Sequence, residues 1–542
     1  MFRAGRAPRP ARTAFPTFDG LTPAADLSAV GSVRRLSLAT LTLAMAATAA
    51  VAVSPVGANA APTPTLNAVI SNQELDAATI PELQARMAKG SLTATRLTEA
   101  YLGRIRQLEP KVHSILFLDP TALSQARASD ERRRSGHVLS PLDGIPVLLK
   151  DNIDTKNLPT TAGSRALLTS KPKQDAELVR RLRQAGAVIL GKTNLSEWAN
   201  FRSSKSTSGW SGVGGQTNNP YVLDRNPCGS SSGSAAAVAA SLAQVAIGTE
   251  TDGSIVCPGG ANGIVGIKPS LGVISGDGIV PISHLQDTAG PFGRHVVDAA
   301  ITLSVLSGKD YSPANASLRG KRIGVWAQAG QDPGVDKVMQ ETVATLQKAG
   351  AIIVDVAPAN QDTIGNDELP ALLTEFKHEL NAYLATRPGA PQTLADLIAF
   401  NQQDPVELSK FGQEIFEAAE AAPPITDPTY QQQRATATDL ARHSIDDLIA
   451  ADHLDAIVSP TNGPAWVTDY PNGDGFEVSS STPAAVAGYP DVTVPAGFAG
   501  ALPIGVSFMA GKNSDAHVIA LAAAFERVSK ARKAPTFLPT EP

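Results

Sequence analysis

Two serine-and-glycine loops hold the side chains in this sequence best suited to nucleophilic chemistry. The first, Cys228-Gly-Ser-Ser-Ser-Gly233, sets Ser230, Ser231 and Ser232 between two glycines. The second, Thr251-Asp-Gly-Ser254, ends in a lone serine behind Gly253. Glycine beside serine permits unusual backbone angles and close approach of a ligand. Upstream, Ile145-Pro-Val-Leu-Leu-Lys150 is an apolar run that ends in a lysine. Such a run predicts a strand buried on both faces. A lysine at its inner end loses charge because desolvation disfavours the ammonium, and the neutral amine can then act as a base.

Hydrolysis of a carboxamide needs a nucleophile, a base for its proton and donors for the oxyanion. Ser254 is the candidate nucleophile, Lys150 the base, and Ser230 a bridge that passes the proton between them. The backbone amides of Asp252, Gly253 and Ser254 can converge as an oxyanion hole at the sharp turn. This set uses no histidine and no metal. Two other readings of the loops stand beside it. Each loop alone is compatible with a turn that caps a helix. Gly229-Ser-Ser231-Ser-Gly233 also satisfies the G-x-S-x-G elbow of α/β-hydrolases, with Ser231 as nucleophile. That elbow should follow a buried strand, whereas Tyr221–Cys228 is polar and turn-rich.

The surrounding pattern must hold these loops in place. Periodic apolar spacing predicts helices over 77–108, 122–134, 176–185, 296–306 and 514–527. Short aliphatic runs predict strands at 145–150, 187–191, 321–326, 456–460, 492–495 and 503–508. Residues 335–450 read as largely helical and 200–225 as a long polar loop, of a length that is usually functional. Helix and strand alternate, so the expected fold is α/β. We expect a single large domain with a central mixed, mostly parallel β-sheet covered by helices on both faces.

The 542 residues carry 43% apolar and 18% charged side chains and a net charge of −5. This describes a globular chain with a large core and argues against general nucleic-acid binding. Two cysteines and eight scattered histidines supply no zinc pattern, so no metal or cofactor is expected. Arg34-Arg35, the apolar run 36–53 and Ala58-Asn-Ala60 read as an export leader over residues 1–60, removed from a mature domain over 61–542. The paired arginines hint at twin-arginine export, and an uncleaved anchor is the alternative. Removal of six arginines and two aspartates from the 46 basic and 51 acidic residues leaves a net charge of −9. The expected product is an exported, periplasmic or secreted protein, without stable membrane association, as a monomer or homodimer.

Several ordered motifs resemble the amidase signature family. They are Pro146-Val-Leu-Leu-Lys150-Asp-Asn-Ile-Asp154, Gly191-Lys-Thr-Asn-Leu-Ser-Glu-Trp198, Gly229-Ser-Ser-Ser-Gly-Ser234, Asp252-Gly-Ser-Ile255, Gly266-Ile-Lys-Pro269 and Asp287-Thr-Ala-Gly-Pro291. Gly488-Tyr-Pro490, Val494-Pro-Ala-Gly497 and Leu502-Pro-Ile-Gly505 extend the resemblance over about residues 74–530. It implies the family's fold, a Ser-Ser-Lys triad of Ser254, Ser230 and Lys150 with a cis peptide bond before Ser230, and an oxyanion hole from the amides of Thr251, Asp252, Gly253 and Ser254. Ser232, Glu250, Asp252 and Val256 depart from the common pattern and resemble peptide amidases, which remove a C-terminal amide. A broad small-molecule amidase is the alternative. The catalytic subunit of a tRNA-dependent amidotransferase is opposed by the leader and the acidic charge, and a non-catalytic binding protein by the retained triad. Trp210, Asn194 and Ser231 are expected at the substrate. Glu197 and Trp198 pack or line the cleft. Asp287 and Asp298 read as caps or buried acceptors. Cys228 and Cys257 are either small buried side chains or, in an exported protein, a disulfide.

Overall fold

The computed structural model describes residues 70–313 and 316–541. The expected leader therefore lies outside the described residues. Among these residues no helix is long and apolar enough to cross a membrane.

Among the described residues, thirteen strands form two sheets. The large sheet comprises β1 (Ile115–Leu118), β2 (Pro146–Lys150), β3 (Val188–Thr193), β6 (Val245–Glu250), β7 (Val265–Lys268), β8 (Thr288–Gly293), β9 (Arg322–Val325), β10 (Ile352–Asp355), β11 (Ala456–Pro460), β12 (Asp491–Ala499) and β13 (Leu502–Met509). Its order is β1-β3-β2-β6-β8-β7-β12-β13-β11-β9-β10. The two short strands β4 (Trp210–Ser211) and β5 (Gly215–Gln216) pair within the polar loop.

Every residue of β2, β3, β6, β7, β8, β11 and β13 is buried. Alternate side chains on a strand point to opposite faces, so both faces of the sheet are covered. Helices Ser232–Ala239 and Val256–Ala261 form one group against it, and Val296–Ser307, Pro333–Lys348 and Asp515–Ser529 another. The sheet is mixed, but parallel pairs do not dominate it. Four of its ten neighbour pairs are parallel and six antiparallel. The expected mostly parallel sheet is corrected in its middle, where β6, β8, β7, β12 and β13 alternate in direction. The two-residue turn between β12 and β13 can only join antiparallel strands.

The expected helices and strands appear with small boundary shifts. The region 77–108 divides into Asn72–Ala77, Ile80–Ala88 and Ala94–Val112. Ser71 and Thr79 each close a capping box with the glutamate three residues on, which explains the divisions. The segment 335–450 is largely helical, with the edge strand β10 and several loops between its helices. A separate apolar cluster built around Leu372, Phe376, Leu380, Leu397 and Phe416 also takes in Trp198 and Phe201. It fastens these helices to the chain between residues 162 and 282.

Candidate active site

Lys150 is the last residue of β2, and β2 runs parallel to β6, with Leu149 beside Ile247. The C-terminal ends of the two strands therefore arrive together, and Thr249 comes to the lysine. Lys150 Nζ lies 2.8 Å from Ser230 Oγ, 2.9 Å from Thr249 Oγ1 and 3.2 Å from the Thr249 carbonyl oxygen. The lysine has no exposed surface. Desolvation pulls its pKa down to about 7, with the carboxylates of Asp287 and then Glu250 opposing the drop. Just beyond, Asp151 pairs with buried Lys192 of β3 at 3.1 Å and fixes the chain leaving β2.

Ser230 follows a cis peptide bond from Gly229. A Cβ on Gly229 would collide with Ser196 Oγ, so only glycine allows the loop to pack there. The Ser230 carbonyl accepts from the Ser196 amide at 3.0 Å. Ser231 docks the loop on the end of β6. Its Oγ donates to the Thr249 carbonyl at 3.0 Å, and its amide donates to the Ser254 carbonyl at 3.2 Å. The apolar run between the loops thus becomes a helix, Ser232–Ala239, followed by β6.

Ser254 is largely buried, at 9% exposure. Gly253 adopts φ +76°, the left-handed conformation that turns the chain sharply. The Glu250 carboxylate accepts from the amides of Ile255 at 2.7 Å and Val256 at 3.0 Å. It thereby caps the helix Val256–Ala261 and leaves the amides of Asp252, Gly253 and Ser254 without a protein acceptor among the described residues. The Asp252 carboxylate is held by the hydroxyls of Ser481 and Thr482.

Two residues hold the same loop from behind: Asp287, a buried acceptor as expected, and Gln286, which sequence reasoning missed. Asp287 accepts from Thr251 Oγ1 at 2.6 Å and from the amides of Ile282 and Ser283. Burial raises its pKa to about 7. Gln286 Nε2 donates to the Thr251 carbonyl at 2.9 Å and to Glu368 at 2.6 Å, while its Oε1 accepts from Arg434 at 2.9 Å. Gln286 carried no sequence signal because its role depends on helices far along the chain. Asp298 is a buried acceptor, as expected, taking the Ile80 amide and Gln244.

The three residues expected at the substrate are all buried. Asn194 has no exposed surface, and it spends its amide on the Gly209 and Gly215 carbonyls and on Thr217, while accepting from Ser211. These bonds fold the polar loop around it. Trp210 is 4% exposed and packs edge-on against Phe411, with Arg202 over its face. Ser231 is fully buried between the two loops. A cavity of about 270 Å³ instead opens beside the lysine's partners, lined by Asn152, Thr249, Thr251, Ile279, Val280 and Asp287. Cys228 and Cys257 form a disulfide. Among the described residues no group of three or more His, Cys, Asp or Glu side chains is placed to hold a metal.

The amidase family's sequence profile matches residues 96–519. The chain belongs to the amidase signature family. It is an amide-hydrolysing enzyme. A probable amidase of Arabidopsis thaliana is 40% identical to it over 506 residues, 87% of this chain and 93% of the relative. The peptide amidase of Stenotrophomonas maltophilia superposes with a TM-score of 0.81 at 47% identity, covering 85% of this chain and 99% of its own. The chain is also similar to a glutamyl-tRNA(Gln) amidotransferase subunit of Salinispora arenicola, 34% identical over 501 residues, 84% of this chain and 97% of the relative.

Proposed function

We propose that this amidase removes the C-terminal amide of peptides through Ser254, relayed by Ser230 and Lys150. The observation that carries the reading is the 2.8 Å contact between Ser230 Oγ and a fully buried lysine whose pKa falls to about 7. Neutral Lys150 accepts the Ser230 proton as Ser230 takes that of Ser254. Ser254 Oγ attacks the amide carbonyl, and the free amides of Asp252, Gly253 and Ser254 meet the oxyanion, with Thr251 completing the segment. The proton returns along the same path to the leaving nitrogen, and ammonia departs. Water then cleaves the acyl-enzyme by the reverse relay.

The peptide-amide substrate is supported by the 47% identity to a peptide amidase across nearly all of that protein. Export is supported by the leader pattern and by the disulfide, because such bonds persist in oxidising compartments. Ammonia release from peptide amides, simple aliphatic and aromatic amides, and glutamine tests the reading. Peptide amides should turn over fastest, and Ser254→Ala should abolish release. A preference for simple amides would overturn the substrate, and an active Ser254→Ala the nucleophile.

A further inference from the structure

The disulfide lies between the two halves of the proposed relay. Cys228 is two residues before Ser230, and Cys257 is three residues after Ser254, in the first turn of the helix Val256–Ala261. The bond closes a covalent ring across a sequence separation of 29, and both serines lie inside it. The Cys257 amide donates to the Gly253 carbonyl at 2.9 Å, so the position of Cys257 sets that of the turn carrying Ser254. Near the serines, the loops share one other direct link, the 3.2 Å bond from the Ser231 amide to the Ser254 carbonyl. Asn262 adds a bond to the Pro227 carbonyl at 2.7 Å, from the far end of the helix. Cys228 itself holds φ +57°, a left-handed conformation costly for a residue with a side chain. The fold is anchored elsewhere, in the sheet and its main core, while the disulfide belongs to a small cluster with Ala261 under Trp466.

We infer that the Cys228–Cys257 disulfide is a positioning element for catalysis, and that opening it slows turnover while the protein stays folded. The inference rests on the proposed relay from Ser254 through Ser230. Cys228 has no exposed surface and Cys257 keeps 9%, so attack falls on the Cys257 sulfur. A thiolate of a dithiol reductant forms a mixed disulfide with Cys257, and Cys228 leaves as a thiolate. The second thiol of the reductant displaces Cys257 and closes its own disulfide. Two electrons and two protons pass to the protein, which ends as a dithiol. Freed from the bond, the Cys228 backbone can relax, and Ser230 shifts against Ser254. Misplacement of about 1 Å at a reacting centre lowers rates about 100-fold. The same chain in a reducing compartment is then a slow hydrolase.

The test compares oxidised protein, protein reduced with dithiothreitol, and Cys228→Ala/Cys257→Ala. Three readouts are taken: ammonia release from a peptide amide, the rate at which a fluorophosphonate labels Ser254, located by peptide mass, and circular dichroism. Reduction should lower kcat and the labelling rate by about 10-fold to 100-fold, leave KM within about twofold, and reverse on reoxidation. The double variant should match the reduced protein. Equal labelling and turnover in all three forms would overturn the inference. So would loss of the folded signal on reduction, since the bond would then hold the fold rather than two loops. Labelling needs no peptide substrate. Labelling of oxidised protein without peptide-amide turnover would sink the substrate alone, while no labelling of Ser254 would sink the relay and this inference together.

Discussion

Thr249 presents both its hydroxyl and its carbonyl to Lys150 Nζ, at 2.9 and 3.2 Å. A neutral amine has two N–H bonds and one lone pair. With both N–H bonds directed to Thr249, the lone pair is left for Ser230, 2.8 Å away. Thr249→Val keeps the volume and the carbonyl but removes the hydroxyl. We expect kcat to fall by about 10-fold to 100-fold, in line with a lost buried hydrogen bond of about 1–3 kcal/mol. Steady-state kinetics beside a melting curve checks this; an unchanged kcat would mean the threonine does not orient the amine.

Lys150→Ala should cost several orders of magnitude in kcat, because an unassisted serine hydroxyl is a poor nucleophile near neutral pH. Ser254→Ala and Lys150→Ala combined should be little worse than either alone, since the groups act as one unit. Additive losses in the double variant would separate the two residues.

The base must be neutral, so activity should fall as pH drops through about 7, where Lys150 gains its proton. The Asp287 carboxylate favours the charged lysine. Asp287→Asn removes that bias, so the acid limb of kcat should move to lower pH. The variant also weakens the hold on Thr251, which lowers the plateau without moving the limb. A limb that stays in place or moves upward contradicts the assignment of Lys150 as the titrating base.

Gln286 joins Thr251 of the oxyanion segment to Glu368 and Arg434 on the helices Gln361–Leu384 and Pro428–Asp452. Gln286→Ala leaves buried polar groups of both unpaired, at a cost of about 1–3 kcal/mol for such a group. We expect a lower melting temperature together with a lower kcat. Gln286→Glu keeps the acceptor for Arg434 but removes the N–H donor to the Thr251 carbonyl, so it should lower kcat with a smaller loss of melting temperature than Gln286→Ala. Thermal unfolding and kinetics on both variants decide this.

The three residues of the proposed relay stood out because each sits in a short local pattern: a lysine ending an apolar run, and two serines beside glycines. The parts that were not legible depend on distant partners. Strand β8 reads Thr-Ala-Gly-Pro-Phe-Gly, with residues disfavoured in strands. Pairing with β6 on one side and β7 on the other makes it a strand nonetheless. Asn194 and Trp210, expected at the substrate, lie in or near a polar loop. That loop folds back on itself through the β4–β5 pair, and the helical segment covers Trp210 with Phe411. Polarity in sequence indicated exposure where the chain had enough internal partners to bury it.

The parallel pairing of β2 with β6 has a consequence for how such an enzyme can change. Neighbouring strands sit about 4.8 Å apart because backbone hydrogen bonds hold them there. The meeting of Lys150 with Thr249 is thus set by the pitch of the sheet, one of the least variable lengths in proteins. The segments that line a substrate cleft can lengthen, shorten or be exchanged without moving Lys150 against Thr249. Diversification of substrate range and conservation of proton chemistry are mechanically decoupled in this architecture.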